Sequence, residues 1–173
     1  MGLQLIFAVE TNKTCKSDWI YIKHTISKFY TIDQAHIKLS TVYMDGKSNY
    51  TKKQKEVKSL VSQYLNVSKN NKSQVIYCFD CDEYDNKQED MQFLEKARCF
   101  CKDNEYEFVW FCKDIERVYL GKKVNDGKKR EESARFKSRC MIDNIKEQDL
   151  SVLEYRHNTS NILVVLDKFI ERK

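Results

Sequence analysis

Three acidic side chains stand at the ends of two apolar runs, and this placement predicts a divalent-metal site. Glu10 follows the run 5–9, and Asp80 and Asp82 follow the run 75–79. Continuous apolar runs are typical of buried parallel strands, and ligands bind beyond the carboxyl ends of such strands in open α/β sheets. Because side chains alternate along an extended segment, Asp80 and Asp82 are expected to point to one face. We therefore expect the three carboxylates to converge on one ion.

Carboxylate oxygens in this arrangement suit Mg²⁺ or Mn²⁺ and the chemistry of phosphoryl groups. Mg²⁺ keeps several waters and completes its octahedral shell with a few carboxylates and substrate phosphate oxygens. A bound ion polarises a phosphoryl oxygen and lowers the pKa of a bound water. Glu83 and Glu116 are candidates for holding a second ion or orienting a water. Lys13 is a candidate for balancing transition-state charge, with a plain loop lysine as the alternative.

Basic residues cluster in the last third of the chain. The formal net charge is +5, from 31 basic and 26 acidic residues, so the overall bias is mild. Residues 80–90 are strongly acidic, and an acidic patch beside basic segments suits a metal site that acts on a polyanion. A solvated surface accounts equally well for the basic run 52–55. The predicted nucleic-acid-binding residues are Lys128, Lys129, Arg130, Arg135 and Lys137.

Composition narrows the class of protein. A chain of 173 residues with 41% apolar and 12% aromatic residues can build one domain with a proper core. No apolar stretch is long enough for a membrane span, and no signal-type segment is visible, so we expect a soluble, cytoplasmic protein. The seven cysteines are odd in number and lie mostly inside apolar runs or a helical pattern, which favours reduced thiols.

Apolar runs alternate with amphipathic stretches through the first two thirds of the chain. The succession βαβαβα followed by a further strand predicts a mostly parallel sheet with helices on both faces. Ser17 is the expected cap of a first helix that carries Trp19, Ile22, Ile26 and Phe29 on one side. The other predicted elements are strands at 36–44, 74–80 and 106–112 and helices at 51–65 and 89–102.

The pattern changes after Asp114. A short helix is expected over 115–120, then a polar loop over 121–129 and a basic helix over 131–146. The end of the chain, from 160 to 170, carries apolar residues at helical spacing and should pack back onto the sheet.

The order of these elements and the placement of the carboxylates resemble the Toprim domain of topoisomerases, primases and several nucleases. That family has a glutamate at the end of its first strand and Asp-x-Asp at the end of a later strand. Glu10 matches the glutamate, and Asp80 and Asp82 match the Asp-x-Asp. The resemblance covers about residues 3–120 and implies a three-layer, Rossmann-like α/β fold that holds Mg²⁺.

The flanking residues are similar to those of small Toprim-like nucleases of bacterial defence, the RloB-like and overcoming-lysogenization-defect groups. Residues 79–83 resemble their Phe-Asp-x-Asp-Glu, and residues 108–120 resemble their strand followed by Ser-Asn-x-x-Phe-Glu-x-Trp-Leu. On that alignment Glu116 takes the place of the later glutamate. The resemblance implies a catalytic core at 1–120, with a basic loop and helices at 121–173 that pack back on it within a single domain.

By this resemblance we expect a Mg²⁺- or Mn²⁺-dependent nuclease for DNA or RNA that serves antiphage or mobile-element defence. A separate ATPase is an expected partner, because the chain has no P-loop of its own. The chain departs from the family pattern at Thr11, Cys112 and Ile115, where the family has glycine, serine and phenylalanine. This keeps open a non-catalytic nucleic-acid-binding or regulatory module, and a nucleotidyl transferase such as a primase core ranks last.

Two weaker patterns have simpler explanations. Cys78-x-x-Cys81 with Cys99-x-Cys101 suggests zinc, but Cys78 lies in the middle of a predicted strand and the spacing does not repeat a knuckle. His157 precedes the last helical pattern and is a lesser candidate for contact with substrate.

Overall fold

A computed structural model describes residues 2–173 and contains one five-stranded sheet. The strand order is β2-β1-β3-β4-β5, with the first four strands parallel and the last antiparallel. The mostly parallel α/β architecture expected from the sequence is therefore confirmed. The strands are β1 (Leu3–Val9), β2 (Ile37–Tyr43), β3 (Lys72–Asp80), β4 (Glu107–Cys112) and β5 (Thr159–Ser160).

Helices connect the parallel strands and continue beyond the last of them. Each parallel connection needs a crossover, and a helix of three to four turns supplies it between successive strands. The helices are α1 (Ser17–Phe29), α2 (Gln54–Val67), α3 (Gln88–Asp103), α4 (Ile115–Leu120), α5 (Lys129–Ser138), α6 (Glu147–Leu150) and α7 (Ile162–Leu166). None of the helices formed by residues 2–173 has the length and apolar character that a bilayer crossing requires.

Alternate residues of the central strands feed two separate apolar cores, one on each face of the sheet. On one face Phe7 packs with α1 residues such as Ile22, and α4, α5 and α7 complete this core. On the other face Ile6 packs with Val57 of α2 and with residues of α3. Burial on both faces explains why β1 and β3 read as continuous apolar runs. The helices thus lie on both faces, as expected.

The end of the chain covers the β4 side of the sheet. β5 pairs with only two residues of β4, Phe111 and Cys112. Beside it, the Asn161 carboxamide accepts a hydrogen bond from the N–H of Trp110 at 3.0 Å and donates one to the carbonyl of Phe108 at 3.0 Å. α7 then buries Leu163 and Leu166 in the core next to α1. The C-terminal segment therefore packs back onto the sheet.

Three local expectations were wrong. Ser17 is the first residue of α1 rather than its cap, and its hydroxyl donates to Asp18 Oδ1 at 3.3 Å. The basic helix predicted over 131–146 is α5, which begins at Lys129 and ends at Ser138 because Cys140 adopts a left-handed φ of 49°. The last helix covers only Ile162–Leu166 of the segment 160–170, whose first residue, Ser160, belongs to β5.

The strand order creates a crevice at the carboxyl edge of the sheet between β1 and β3. The chain leaves β1 through α1 toward β2 on one side, whereas it leaves β3 through α3 toward β4 on the other. In doubly wound sheets ligands bind at such a reversal of strand order. Glu10 directly follows β1 and Asp80 is the last residue of β3, so both stand at this crevice.

Candidate metal centre at the carboxyl edge of the sheet

A cleft of about 410 Å³ opens at the carboxyl ends of β2, β1 and β3. Each of these strands delivers one acidic residue to it, because Asp45, Glu10 and Asp80 lie at or just beyond the three strand ends. Helix α1 adds Asp18 from its first turn. We call this cleft the carboxylate cleft; the charged residues that line it are Glu10, Asp18, Asp45, Asp80, Asp126 and Lys129.

Backbone hydrogen bonds hold the buried carboxylates in place. Glu10 Oε1 accepts from the N–H of Asp80 at 2.8 Å, which ties the ends of β1 and β3 together. Asp80 Oδ1 accepts from the N–H of Ile115, the first residue of α4, at 2.9 Å. Asp18 Oδ2 accepts from the N–H of Thr11 at 3.1 Å. These bonds fix the positions of the side chains but leave their negative charges unpaired.

Glu116 approaches the same region from α4 and is almost completely buried. Its side chain is 1% exposed, and its Oε1 atom has no hydrogen-bond partner among the described residues. Its other oxygen lies 3.6 Å from the Nζ atom of Lys129. An unpartnered carboxylate oxygen in a buried position is costly, so a further cation or a proton is needed there.

Burial and mutual repulsion make these carboxylates resist ionisation. The pKa of Glu10 is raised to about 8, first by burial and then by the charges of Asp18 and Asp82. The hydrogen bond from the N–H of Asp80 acts in the opposite direction. Burial likewise raises the pKa of Glu116 to about 7. The pKa of Asp80 is well above its usual range because of burial and of the charges of Glu10, Asp18 and Glu116, and burial also raises the pKa of Asp18.

Lys129, the first residue of α5, is the cation inside the cleft. Burial works against its charge, but Glu116, Asp80 and Asp18 outweigh that effect, and the pKa of Lys129 rises above its usual value. Asp126, which is fully exposed, lies 3.7 Å from the Lys129 Nζ atom. Lys129, together with the charge of Lys47 that acts on Glu10, does not neutralise the four carboxylates of Glu10, Asp18, Asp80 and Glu116, so the cleft retains excess negative charge.

The structure does not bring Asp82 and Glu83 into the cleft with Asp80. Asp82 has a positive φ of 49°, so the alternation of an extended strand ends before it and the expected common face with Asp80 is wrong. Its carboxylate accepts from Lys47 Nζ, which also contacts Asp90 at 3.2 Å. Asp82 remains close enough for its charge to raise the pKa of Glu10.

We call residues 82–90 the acidic segment, and basic side chains neutralise it. Lys113 contacts Glu83 at 2.6 Å and Asp85 at 3.1 Å, and the hydrogen bond from Lys113 lowers the pKa of both carboxyls. His157, the lesser candidate for contact with substrate, contacts Asp85 at 2.9 Å and is therefore one of the basic side chains that pair with this segment. Glu83 was expected to be a metal ligand, but Lys113 already occupies its carboxylate and would compete with a metal ion.

The predicted basic residues divide into two groups. Lys129 lines the cleft, whereas Lys128 pairs with Glu131 at 3.0 Å and Arg135 with Glu132 at 3.8 Å on α5. Arg130 and Lys137 are exposed. Lys13 lies in an exposed loop beside the cleft rather than inside it.

Sequence reasoning did not identify Asp18 and Asp45, two of the carboxylates that line the cleft. The sequence pattern did not single out Asp18, although its position in the first turn of a helix that follows a strand-end glutamate is the available signal. Asp45 follows β2 by two residues, but β2 is less continuously apolar than β1 and β3, so its end was harder to recognise.

The described residues do not form a complete metal-binding ligand set, but they supply part of one. In the part of the chain that the structure describes, no three His, Cys, Asp or Glu side chains form a ready-made ligand set. Mg²⁺, however, is commonly held by one or two carboxylates together with waters and substrate phosphates. Glu10 and Asp80 supply two such carboxylates, and the unpartnered oxygen of Glu116 and the excess charge favour a cation. The cysteines do not offer zinc an alternative, because Cys78 is buried within β3, Cys81 is buried just after it and Cys99 is exposed on α3.

Comparisons with known proteins add no assignment. No protein-family model matches the chain, and no match was found among curated proteins or among solved structures.

Proposed function

We propose that the chain is a Mg²⁺- or Mn²⁺-dependent nuclease that hydrolyses phosphodiester bonds at the carboxylate cleft. The observation that carries the proposal is the group of buried carboxylates from different elements, Glu10, Asp18, Asp80 and Glu116, with only Lys129 among them. Structural carboxylates in a fold core are usually paired. An unbalanced group in a crevice at the reversal of strand order is typical of a functional site.

In this proposal Glu10 and Asp80 hold the ion, with Asp18 and Glu116 close behind them. The ion, when bound, would lower the pKa of a bound water and polarise a phosphoryl oxygen. Lys129 Nζ lines the cleft and stays protonated beside the carboxylates, so it can donate to a phosphate oxygen of the substrate.

Glu116 is suited to proton transfer near neutral pH. Its pKa of about 7 lies where a carboxyl group can both accept and return a proton. In hydrolysis the water oxygen bonds to phosphorus as the bond to the leaving oxygen breaks. One proton leaves the water and the leaving oxygen gains one. The unpartnered Oε1 of Glu116 is the place where we expect the first of these protons to be held.

The Toprim-like identity of the fold and the likeness to RloB-like and overcoming-lysogenization-defect nucleases are part of the same proposal. The expected Glu10 and Asp80 at neighbouring strand ends and Glu116 beside them support it. So does the mostly parallel sheet. A role in antiphage defence, with a separate ATPase that controls the nuclease, follows from this likeness and stands or falls with it.

A second candidate function is a non-catalytic module that binds nucleic acid. The observations that favour it are the ion pairs of Asp82 with Lys47 and of Glu83 with Lys113, which leave the cleft fewer ligands than the motif requires. In that case Glu10 and Asp80 would still bind a cation, but binding would not lead to cleavage.

The two functions are separated by adding metal to protein that is bound to nucleic acid. Purified protein is incubated with plasmid, single-stranded DNA and tRNA, each with Mn²⁺, with Mg²⁺ and with EDTA. We expect cleavage of at least one substrate with metal only. Asp80→Asn, prepared in parallel, should be inactive and thereby exclude a contaminating nuclease. Binding of nucleic acid without cleavage in any metal would support the non-catalytic module instead.

A further inference from the structure

Two more clefts continue the carboxylate cleft toward α2, and together they form one groove. The first is lined by Asn12, Lys13, Tyr43, Asp45 and Lys53. It shares Asn12 and Asp45 with the carboxylate cleft, and Asp45 and Lys53 with the second, larger cleft beside the start of α2. Because they share lining residues, the three clefts lie side by side, and a chain-like ligand that passes Asp45 can contact all of them.

The outer part of this groove is basic. We call the two outer clefts the lysine groove, which carries Lys13, Lys52, Lys53 and Lys55. Lys53 pairs with Glu56 at 3.1 Å. Within residues 2–173, Lys13, Lys52 and Lys55 make no ion pair, and all three are exposed. Three unpaired ammonium groups along one groove are available to phosphates.

One aromatic side chain lines the inner cleft of the lysine groove and also packs against the core on the α1 face of the sheet. Tyr43, the last residue of β2, is half-buried and lines the inner of the two lysine-groove clefts. It is close enough to Asp18 for the charge of that residue to act on it. Basic groups that follow a backbone, combined with an aromatic ring for a base, are the features by which proteins hold single strands.

From this arrangement we propose that a single strand of DNA or RNA lies in the lysine groove, with its scissile phosphate in the carboxylate cleft. The proposal rests on the nuclease function for the role of the carboxylate cleft, and it names the path by which substrate reaches that cleft. The phosphates contact Lys13, Lys52 and Lys55, and a base stacks on Tyr43. On α5, by contrast, Lys128 and Arg135 are paired with Glu131 and Glu132, which leaves Arg130 and Lys137 as the exposed cations there.

Asp45 gives the proposal a sharp test. Its carboxylate is exposed and lines all three clefts, so it opposes a phosphate backbone in the absence of metal. Asp45 has a φ of 55°, a conformation that asparagine also tolerates well. Asp45→Asn therefore removes the repulsion without backbone strain, and we expect it to tighten strand binding in EDTA.

The experiment measures binding separately from cleavage. Fluorescence anisotropy of labelled oligothymidylate and oligouridylate is recorded in EDTA over a series of salt concentrations. The variants are K13E/K52E/K55E in the groove and, as a matched charge control, K69E/K72E/K96E, whose exposed lysines also make no ion pair within residues 2–173. Lys69 and Lys72 lie near the amino end of β3, the opposite edge of the sheet. Circular dichroism of each variant verifies folding.

We expect the groove variant to lose roughly tenfold or more in affinity, with a salt slope reduced by about two units for three lost phosphate contacts. The control should lose much less, and Asp45→Asn should gain affinity. Equal losses in the two triple variants, or no strand binding by the wild type, would overturn the proposal. The two oligonucleotides distinguish DNA from RNA. Groove-dependent binding without cleavage in Mn²⁺ keeps the path and removes the nuclease function, whereas cleavage with unchanged groove-variant affinity does the reverse.

Discussion

The carboxylate cleft and the acidic segment are neighbours with opposite electrostatic character. In the acidic segment, Glu83 and Asp85 are partly exposed and held by Lys113, which lowers their pKa values. In the cleft, Glu10 and Asp80 are tied only to backbone N–H groups, and their pKa values are raised. A high density of acidic residues in the sequence therefore does not locate a functional site. The carboxylates to examine are those whose charge the fold leaves unbalanced.

The strongest test of this contrast exchanges one carboxylate for its amide in each region. Glu10→Gln should lower metal-dependent cleavage roughly 100-fold or more, the loss that follows removal of a preorganised electrostatic group. Glu83→Gln should keep most of the activity, because Glu83 faces Lys113 rather than the cleft. Initial rates on the best substrate, with Mn²⁺ saturating, decide between them. Comparable losses in both variants would show that the acidic segment belongs to the site.

Metal should stabilise the protein through the cleft alone. Mn²⁺ at about 100 times its Kd adds about 2.7 kcal/mol to the free energy of unfolding, or roughly 5–10 °C in melting temperature for a chain of this size. Thermal melts with Mn²⁺ and with matched ionic strength should show this rise in the wild type and in Asp82→Asn. Asp80→Asn should lose it. A full rise in Asp80→Asn would remove Asp80 from the metal ligands.

Without metal, stability should fall as the pH rises. Glu10 has a folded-state pKa of about 8 against an ordinary value of 4.5, so the folded state holds its proton more strongly than the unfolded chain. The free energy of unfolding therefore decreases between about pH 5 and pH 8, by roughly 1–3 kcal/mol.

Urea unfolding in EDTA at several pH values measures this slope. Glu10→Gln should reduce the slope, with the remainder due to Asp80 and Glu116, and Glu83→Gln should leave it unchanged, because the pKa of Glu83 is lowered rather than raised. A wild-type slope of zero over this range would show that the cleft carboxylates ionise without penalty.

The smallest expected effect on stability comes from replacing the lysine that pairs with each region, Lys113 for the acidic segment and Lys129 for the cleft. Lys113→Met removes ion pairs with the partly exposed Glu83 and Asp85 and should cost little stability, because solvent screens such pairs. Lys129→Met leaves the buried carboxylates without their cation and should cost more in EDTA, with the difference recovered by Mn²⁺. Urea unfolding of both variants, with and without Mn²⁺, makes the comparison. Failure of Mn²⁺ to rescue Lys129→Met would separate the lysine from the proposed metal centre.

Most of the fold was predictable because the apolar runs are long and buried on both faces. β1 and β3 stand where the runs 5–9 and 75–79 predicted them, and with them Glu10 and Asp80. The short helix expected over 115–120 is α4, but later boundaries were not predictable, since they depend on single residues such as Cys140 in the left-handed region and on β5, which has only two residues.

The composition of the site was harder to predict than its location. Asp82, two residues beyond Asp80, the last residue of β3, leaves the extended conformation, and the sequence pattern did not predict that turn. Asp18 and Lys129 enter the site only because α1 and α5 pack on the same face of the sheet. Contacts between elements so far apart in the chain follow from tertiary packing, which local patterns do not encode.

The Asn161 carboxamide also decides where this sheet can grow. By bonding to the N–H of Trp110 and the carbonyl of Phe108, it occupies backbone groups of β4 that an incoming strand from another molecule would need. β2 at the other end of the sheet pairs on one side only. An unpaired edge is the ordinary template for aggregation and strand exchange. The edge of this sheet that leaves a strand's backbone groups available for pairing is therefore β2.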